Sequence, residues 1–183
     1  MGIPCNMIAA MCSNNGIGYK GNLPWKLKKE LEYFARITKE VSNPKMKNAV
    51  IMGRKTWDSL PRNWKPLPGR YNFVLSRHAI DLPGAILCSS LDNVIQKINS
   101  PEFTNKIETA WLIGGSQIYE AALNRNMCDR VYLTRILKEF ECDCFINFDF
   151  SKGYKEISDE RVPKEVQEED EVKFVFYVYE KIQ

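Results

Sequence analysis

Apolar positions along this chain follow two rhythms. Continuous runs at residues 7–11, 49–52 and 111–113 read as strands buried on both faces, since a half-exposed strand would alternate. Between them, apolar residues return at helical spacing over 26–38, 91–98 and 118–123, with Ser90 placed to cap the second of these helices. Residues 71–75 give another strand and 85–88 a short one. Residues 130–136 alternate, as do 173–181, where Val175, Tyr177 and Tyr179 oppose Phe174, Phe176 and Val178. The aromatic-rich segment 143–150 is expected to be extended, and the acidic run 165–171 a solvated loop leading into the closing strand of a hairpin. The alternation predicts one α/β domain over residues 1–183: a mostly parallel twisted central sheet flanked by helices, with an antiparallel C-terminal strand.

One residue breaks the pattern. At about 100° per residue, Leu27, Leu31, Phe34, Ile37 and Thr38 gather on one helix face, and Glu30 falls among them. A carboxylate carried into an apolar interface must find donors, raise its pKa or bind a group that supplies the missing hydrogen bonds. The competing reading is a Glu at the stripe's edge that reaches water.

Three strand ends carry residues suited to anions. The strand at 49–52 runs into Gly53-Arg54-Lys55-Thr56 and a short helix, an arrangement that holds phosphate at a helix N-terminus or is simply a charged turn. Ser76-Arg77 follows the strand at 71–75 in the same way, and neighbouring strand ends of a parallel sheet meet at one crevice. Gly114-Gly115-Ser116 lets backbone approach a ligand closely, or else serves a tight turn. The loop with Gly16, Gly18 and Gly21 is open to the same two readings, ligand contact or mobility.

Composition removes several classes. Lys+Arg 26 against Asp+Glu 23 gives a net charge of only +3, which suggests neither nucleic acid nor an anionic membrane as a partner. No apolar run approaches the roughly 20 residues of a membrane span. The N-terminus has no secretory pattern, and Asn6 stands where a myristoylation signal after Gly2 needs Ser or Thr. Cys5, Cys12, Cys88, Cys128, Cys142 and Cys144 form no Cys-x-x-Cys pair, and His78 is the sole histidine, so no metal site is expected and a His-based triad is absent. Reduced thiols in a cytoplasmic protein are expected.

Taken jointly, Gly16-Ile17-Gly18, Leu23-Pro24-Trp25, Glu30 with Phe34, Val50 through Trp57, Arg70, Leu75-Ser76-Arg77, Ile113-Gly114-Gly115 and Thr134-Arg135 closely resemble dihydrofolate reductase, over nearly the whole chain and in the family's order. Glu at the acidic position and the chain length are similar to eukaryotic, monofunctional members, with no fused thymidylate synthase expected.

The resemblance implies NADPH-dependent reduction of 7,8-dihydrofolate to tetrahydrofolate, feeding one-carbon metabolism and thymidylate and purine synthesis, in a monomer inhibited by antifolates such as methotrexate. It implies catalytic roles for Glu30, Trp25 and Thr134. Glu30 would bind the pterin 2-amino group and N3, Thr134 would orient it, and Trp25 would help fix a water. Ile8 and Ile113 would offer carbonyls to the ring, Leu31, Phe34, Leu60 and Leu67 would line the benzoyl portion, and Arg70 would clamp the glutamate α-carboxylate. For the cofactor it implies Ala10, Ile17, Gly18, Gly21 and Asn22 at the nicotinamide and its covering loop. Gly53, Arg54, Lys55 and Thr56 would address phosphate, as would Gly114, Gly115, Ser116, Gln117, Ile118 and Tyr119. Leu75, Ser76, Arg77, Ser89 and Ser90 would lie around the adenosine 2′-phosphate.

The chain departs from the family at Ser89, where many eukaryotic relatives carry Arg, at Cys144 and Asn147, and at Leu31, an aromatic in vertebrate relatives. Two other functions stay open at this stage. A reductase for another aminopyrimidine would not need Arg70 or bind methotrexate tightly, and a non-catalytic nucleotide binder would not oxidise NADPH with dihydrofolate.

Overall fold

In the computed structural model, which describes residues 2–183, the first strand, β1 (Cys5–Cys12), lies inside the sheet and is covered on both faces. Met7, Ala9 and Met11 enter one hydrophobic cluster while Ile8 and Cys12 enter the other, which is why the run is continuous. A short β2 (Gly16–Gly18) follows, then helix α1 (Lys28–Lys39), β3 (Lys47–Gly53), helix α2 (Arg54–Ser59), β4 (Tyr71–Leu75) and β5 (Ile86–Cys88). Helix α3 (Leu91–Ile98), β6 (Ile107–Gly114), helix α4 (Ser116–Asn124) and β7 (Arg130–Ile136) come next. The chain closes with β8 (Cys144–Phe145), β9 (Tyr154–Ile157), β10 (Gln167–Glu169) and β11 (Val172–Lys181).

Nine strands form the main sheet in the order β10-β11-β7-β1-β6-β3-β4-β5, with β9 also on β11. The pairs among β7, β1, β6, β3, β4 and β5 are parallel, and β11 is antiparallel to β7, β9 and β10. The expected mostly parallel sheet with an antiparallel C-terminal strand is therefore present: β11 runs against β7, and β9 and β10 in turn pair antiparallel with β11. β2 and β8 pair as a separate ribbon above the end of β1. Helices α1 and α2 contribute Tyr33, Ile37 and Trp57 to one core layer, and α3 and α4 contribute Val94, Ile98, Ala122 and Leu123 to the other.

Several local expectations are corrected. Helix α1 starts at Lys28 rather than residue 26, because Leu27 is still extended and serves as its N-cap. Leu31 does not join the packed stripe; it is 51 % exposed, while Tyr33 takes the place on the other flank and stacks on Phe176 at 3.9 Å between ring centres. The stripe is thus packed on one side and open on the other. Of residues 143–150 only Cys144–Phe145 is strand; Ile146 and Phe150 instead turn their side chains into the core. The acidic run is not simply a solvated loop, because Gln167–Glu169 pairs with β11.

Candidate active site

Glu30 is buried, with 5 % of its surface exposed. Thr134 on β7 shares the face of Tyr132 and Ile136, which pack in the layer containing α1, so strand periodicity aims its hydroxyl at the helix. Thr134 Oγ1 donates to Glu30 Oε1 at 3.2 Å. No cation is paired with Glu30 among the described residues. Loss of water pushes its pKa from 4.5 up to about 7, against a smaller lowering by the Thr134 hydrogen bond. The indole N–H of Trp25, also buried, has no hydrogen-bond partner among the described residues.

The helix bearing Glu30 is held from a distance. Glu169 on β10 accepts from the backbone N–H of Lys28 at 2.6 Å and of Lys29 at 2.8 Å, two of the donors a helix start leaves unpaired. Those hydrogen bonds also keep the Glu169 carboxyl below its usual range. The sequence showed only an acidic run; the cap depends on how β10 pairs, which no local pattern announces.

On the open flank of α1, Leu31 is exposed, while half-buried Phe34 packs at the edge of the core layer together with Leu60 and buried Leu67 from the segment after α2. Arg70 is 7 % exposed and has no carboxylate partner among the described residues. Its Nε donates to Pro68 O at 3.0 Å and its Nη1 to Thr38 Oγ1 at 2.9 Å, which leaves guanidinium donors uncommitted. Thr38, read earlier only as part of the stripe, therefore positions this arginine. Buried Asn72 fixes the same loop through Leu67 N, Leu67 O and Arg70 O. Such a loop presents a cation already stripped of water to an anion.

At the C-terminal ends of the parallel strands, Gly53 and Gly115 are the N-caps of α2 and α4, and neither helix start has a side-chain cap. A Cβ at Gly53 would stand 3.2 Å from Ile118 and 3.9 Å from Gly114 O, so the glycine lets the two helix starts approach. Gly114 has φ +118°, a conformation that favours glycine, and Tyr119 lies against it. Tyr119 OH donates to Ile8 O at 2.7 Å, so that carbonyl is already engaged on one side. Ile113, Ser116 and Thr56 are half-buried, and Lys55 and Gln117 are exposed. Arg54 is turned toward Asp58 at 3.6 Å.

Pairing of Leu75 with Cys88 brings Ser76-Arg77 and Ser89-Ser90 out side by side. Arg77 is exposed and unpaired among the described residues. Ser76 Oγ accepts from His78 N and Ser90 Oγ caps α3 through Asn93 N, so Ser90 has a structural task. Across the crevice, half-buried Ala10 ends the inner part of β1, and Ile17 and Gly18 lie in β2. Gly21 and Asn22 close a turn in which Tyr19 and Asn22 exchange backbone hydrogen bonds and Lys20 N donates to Asp143.

A surface cleft of about 980 Å³ lies elsewhere, at the N-terminal ends of β1, β6 and β7. It is lined by both signs of charge, among them Glu40, Glu108, Arg130, Arg161 and Glu180, and includes none of the anticipated site residues. Glu108 there is occupied by the backbone of Ser42 and Asn43, and Arg130 by Glu180, so its polar groups satisfy one another.

Among the described residues no group of three or more His, Cys, Asp or Glu could hold a metal, and no helix is long and apolar enough to cross a membrane. A family model described as dihydrofolate reductase matches residues 4–181. The chain is 46 % identical to dihydrofolate reductase of Bos taurus over 97 % of each chain, and 39 % identical to that of Aedes albopictus, again over 97 % of each. The solved structure of Schistosoma mansoni dihydrofolate reductase superposes over the full length of both chains with a TM-score of 0.86 at 35 % identity.

Proposed function

The chain belongs to the dihydrofolate reductase family of oxidoreductases, and from that premise we propose that it reduces 7,8-dihydrofolate to 5,6,7,8-tetrahydrofolate with NADPH. The observation that carries this reading is Glu30, buried beside a single hydroxyl with no cation, so that its oxygens lack the hydrogen bonds a carboxylate needs. A 2-aminopyrimidinone ring supplies two parallel N–H donors that match those oxygens.

NADPH, when bound, supplies the hydride that reaches pterin C6. The residues of this chain do the remainder. Glu30 binds the 2-amino group and N3, and the proton its carboxyl holds near neutrality, released as those donors satisfy its oxygens, passes to N5 through a water fixed by the Trp25 N–H. Thr134 fixes which oxygen of Glu30 faces the ring, and the carbonyls of Ile8 and Ile113 meet its opposite edge. Leu31, Phe34, Leu60 and Leu67 exclude water along the benzoyl group, and Arg70 receives the glutamate α-carboxylate with its uncommitted donors. The uncapped starts of α2 and α4 suit the cofactor's phosphates, together with Lys55, Thr56, Ser116 and Gln117. Arg77 and the serines beside it suit a 2′-phosphate, which favours NADPH over NADH.

The test is consumption of NADPH by the purified protein with dihydrofolate, with and without methotrexate. Turnover that methotrexate stops is expected. Binding of NADPH without turnover would favour a nucleotide-binding protein instead.

A further inference from the structure

Two thiols meet beneath the ribbon that covers the proposed nicotinamide end. Cys12, at the end of β1, is 2 % exposed, and its Sγ lies 3.7 Å from Sγ of half-buried Cys142, just before β8. Gly16 makes the approach possible: a Cβ there would stand 2.2 Å from Cys142 Sγ and 2.6 Å from Cys142 Cβ. The pair is held in place on both sides. Cys12 donates to Asn14 Oδ1 at 2.7 Å, Asn14 Nδ2 donates to Phe140 O at 3.0 Å, and Asp143 N donates to Gly18 O at 2.9 Å. All six cysteines are free.

We propose that Cys12 and Cys142 form a reversible dithiol–disulfide site, oxidised by small disulfides of the glutathione class, whose closure ties the end of β1 to the segment before β8. A disulfide requires the sulfurs to approach to about 2.05 Å, so the gap of 3.7 Å closes by less than the length of one bond. Cys142, the more accessible thiol, loses its proton to solvent and its thiolate attacks one sulfur of oxidised glutathione, expelling one glutathione thiolate. Cys12 then loses its proton and attacks the Cys142 sulfur, expelling the second. Two protein thiols are oxidised by two electrons, and one glutathione disulfide is reduced to two glutathione thiols.

Loss of water, and then the contact with Cys12, push the Cys142 thiol up to about 11. Few thiolates are present at neutral pH, so the rate should rise about tenfold per pH unit below that value. Closure draws the end of β1 and the β8 segment together, and both border β2, whose Gly16 and Gly18 pair with β8, so the cross-link shifts the ribbon that carries Ile17 and Gly18, the residues proposed beside the nicotinamide.

The test uses the full chain incubated with oxidised glutathione across a series from about pH 7 to about pH 9, over which the thiolate fraction rises. Free thiols are then alkylated under denaturing conditions and the peptides mapped by mass. A Cys12–Cys142 cross-linked peptide is expected, with formation faster as pH rises. NADPH turnover should fall severalfold and return with dithiothreitol. The Cys144→Ser variant should retain the cross-link and Cys142→Ser should lose both the cross-link and the sensitivity. Glutathione on Cys142 or Cys144 with Cys12 still alkylated would overturn the site, and a cross-link without loss of turnover would overturn its coupling to the loop. The cross-link is read by mass, so it stands or fails independently of the proposed reaction.

Discussion

Among the described residues, Thr134 Oγ1 gives the Glu30 carboxyl its one hydrogen bond, at 3.2 Å, across an interface in which Thr134 is fully buried. One bond is too few for an ionised carboxylate, so the folded chain keeps a proton there that the unfolded chain releases. The site is built at the expense of stability.

That cost has a sign and a window. Glu30 titrates near 4.5 when unfolded and near 7 when folded, so between those values the folded state binds the extra proton and stability falls as pH rises. The separation corresponds to a penalty of about 3 kcal/mol, present in full above pH 7 and absent below the unfolded value. Glu30→Gln should therefore raise stability by roughly 2–3 kcal/mol at alkaline pH. Little change is expected near pH 4, and turnover should be largely lost. Denaturant melts at the two pH values measure the difference.

Arg70 offers donors that no residue takes up among the described residues. Arg70→Lys removes the planar fork, at a cost of about 1.5–3 kcal/mol in carboxylate binding, or roughly ten- to a hundredfold in KM for dihydrofolate. KM for NADPH should not move, nor should turnover of a dihydropterin without the glutamate tail. Steady-state kinetics on the two substrates separate these outcomes.

Glu169 ties β10 to the first turn of α1, and hence to Glu30. Glu169→Ala should lower Tm by about 3 °C near neutral pH. The carboxyl is held below its ordinary value, so the contribution is present above the unfolded pKa and disappears as pH falls through the depressed one. Thermal melts at neutral and strongly acid pH show whether the variant and parent converge.

Much of this was legible because buried strands and helix stripes are written in the sequence. The continuous run of β1, the Ser90 cap and the misplaced Glu30 all follow from periodicity. Thr38 behind Arg70, Glu169 at α1 and Cys142 against Cys12 were not legible, since each joins segments distant in the chain through tertiary register. Leu31 was misplaced because a helical wheel shows which residues share a face but not how far the neighbouring layer extends.

Arg77, exposed beside Ser76 and Ser89, has no acidic partner among the described residues. Arg77→Ser should raise KM for NADPH by about tenfold, the worth of one charge-assisted phosphate contact. KM for NADH should be unchanged. Equal loss with both nucleotides would remove Arg77 from the 2′-phosphate site.

Glu30 waits protonated near neutrality until the pterin ring proposed as its partner satisfies it. Its carboxyl carbon, assigned by comparison with Glu30→Gln, can be followed by carbon NMR across pH in the chain without ligand. A midpoint near 7 is predicted from its burial, moving well down when a 2,4-diaminopteridine binds and donates to both oxygens. A midpoint near the ordinary 4.5 that ligand leaves unmoved would contradict the account.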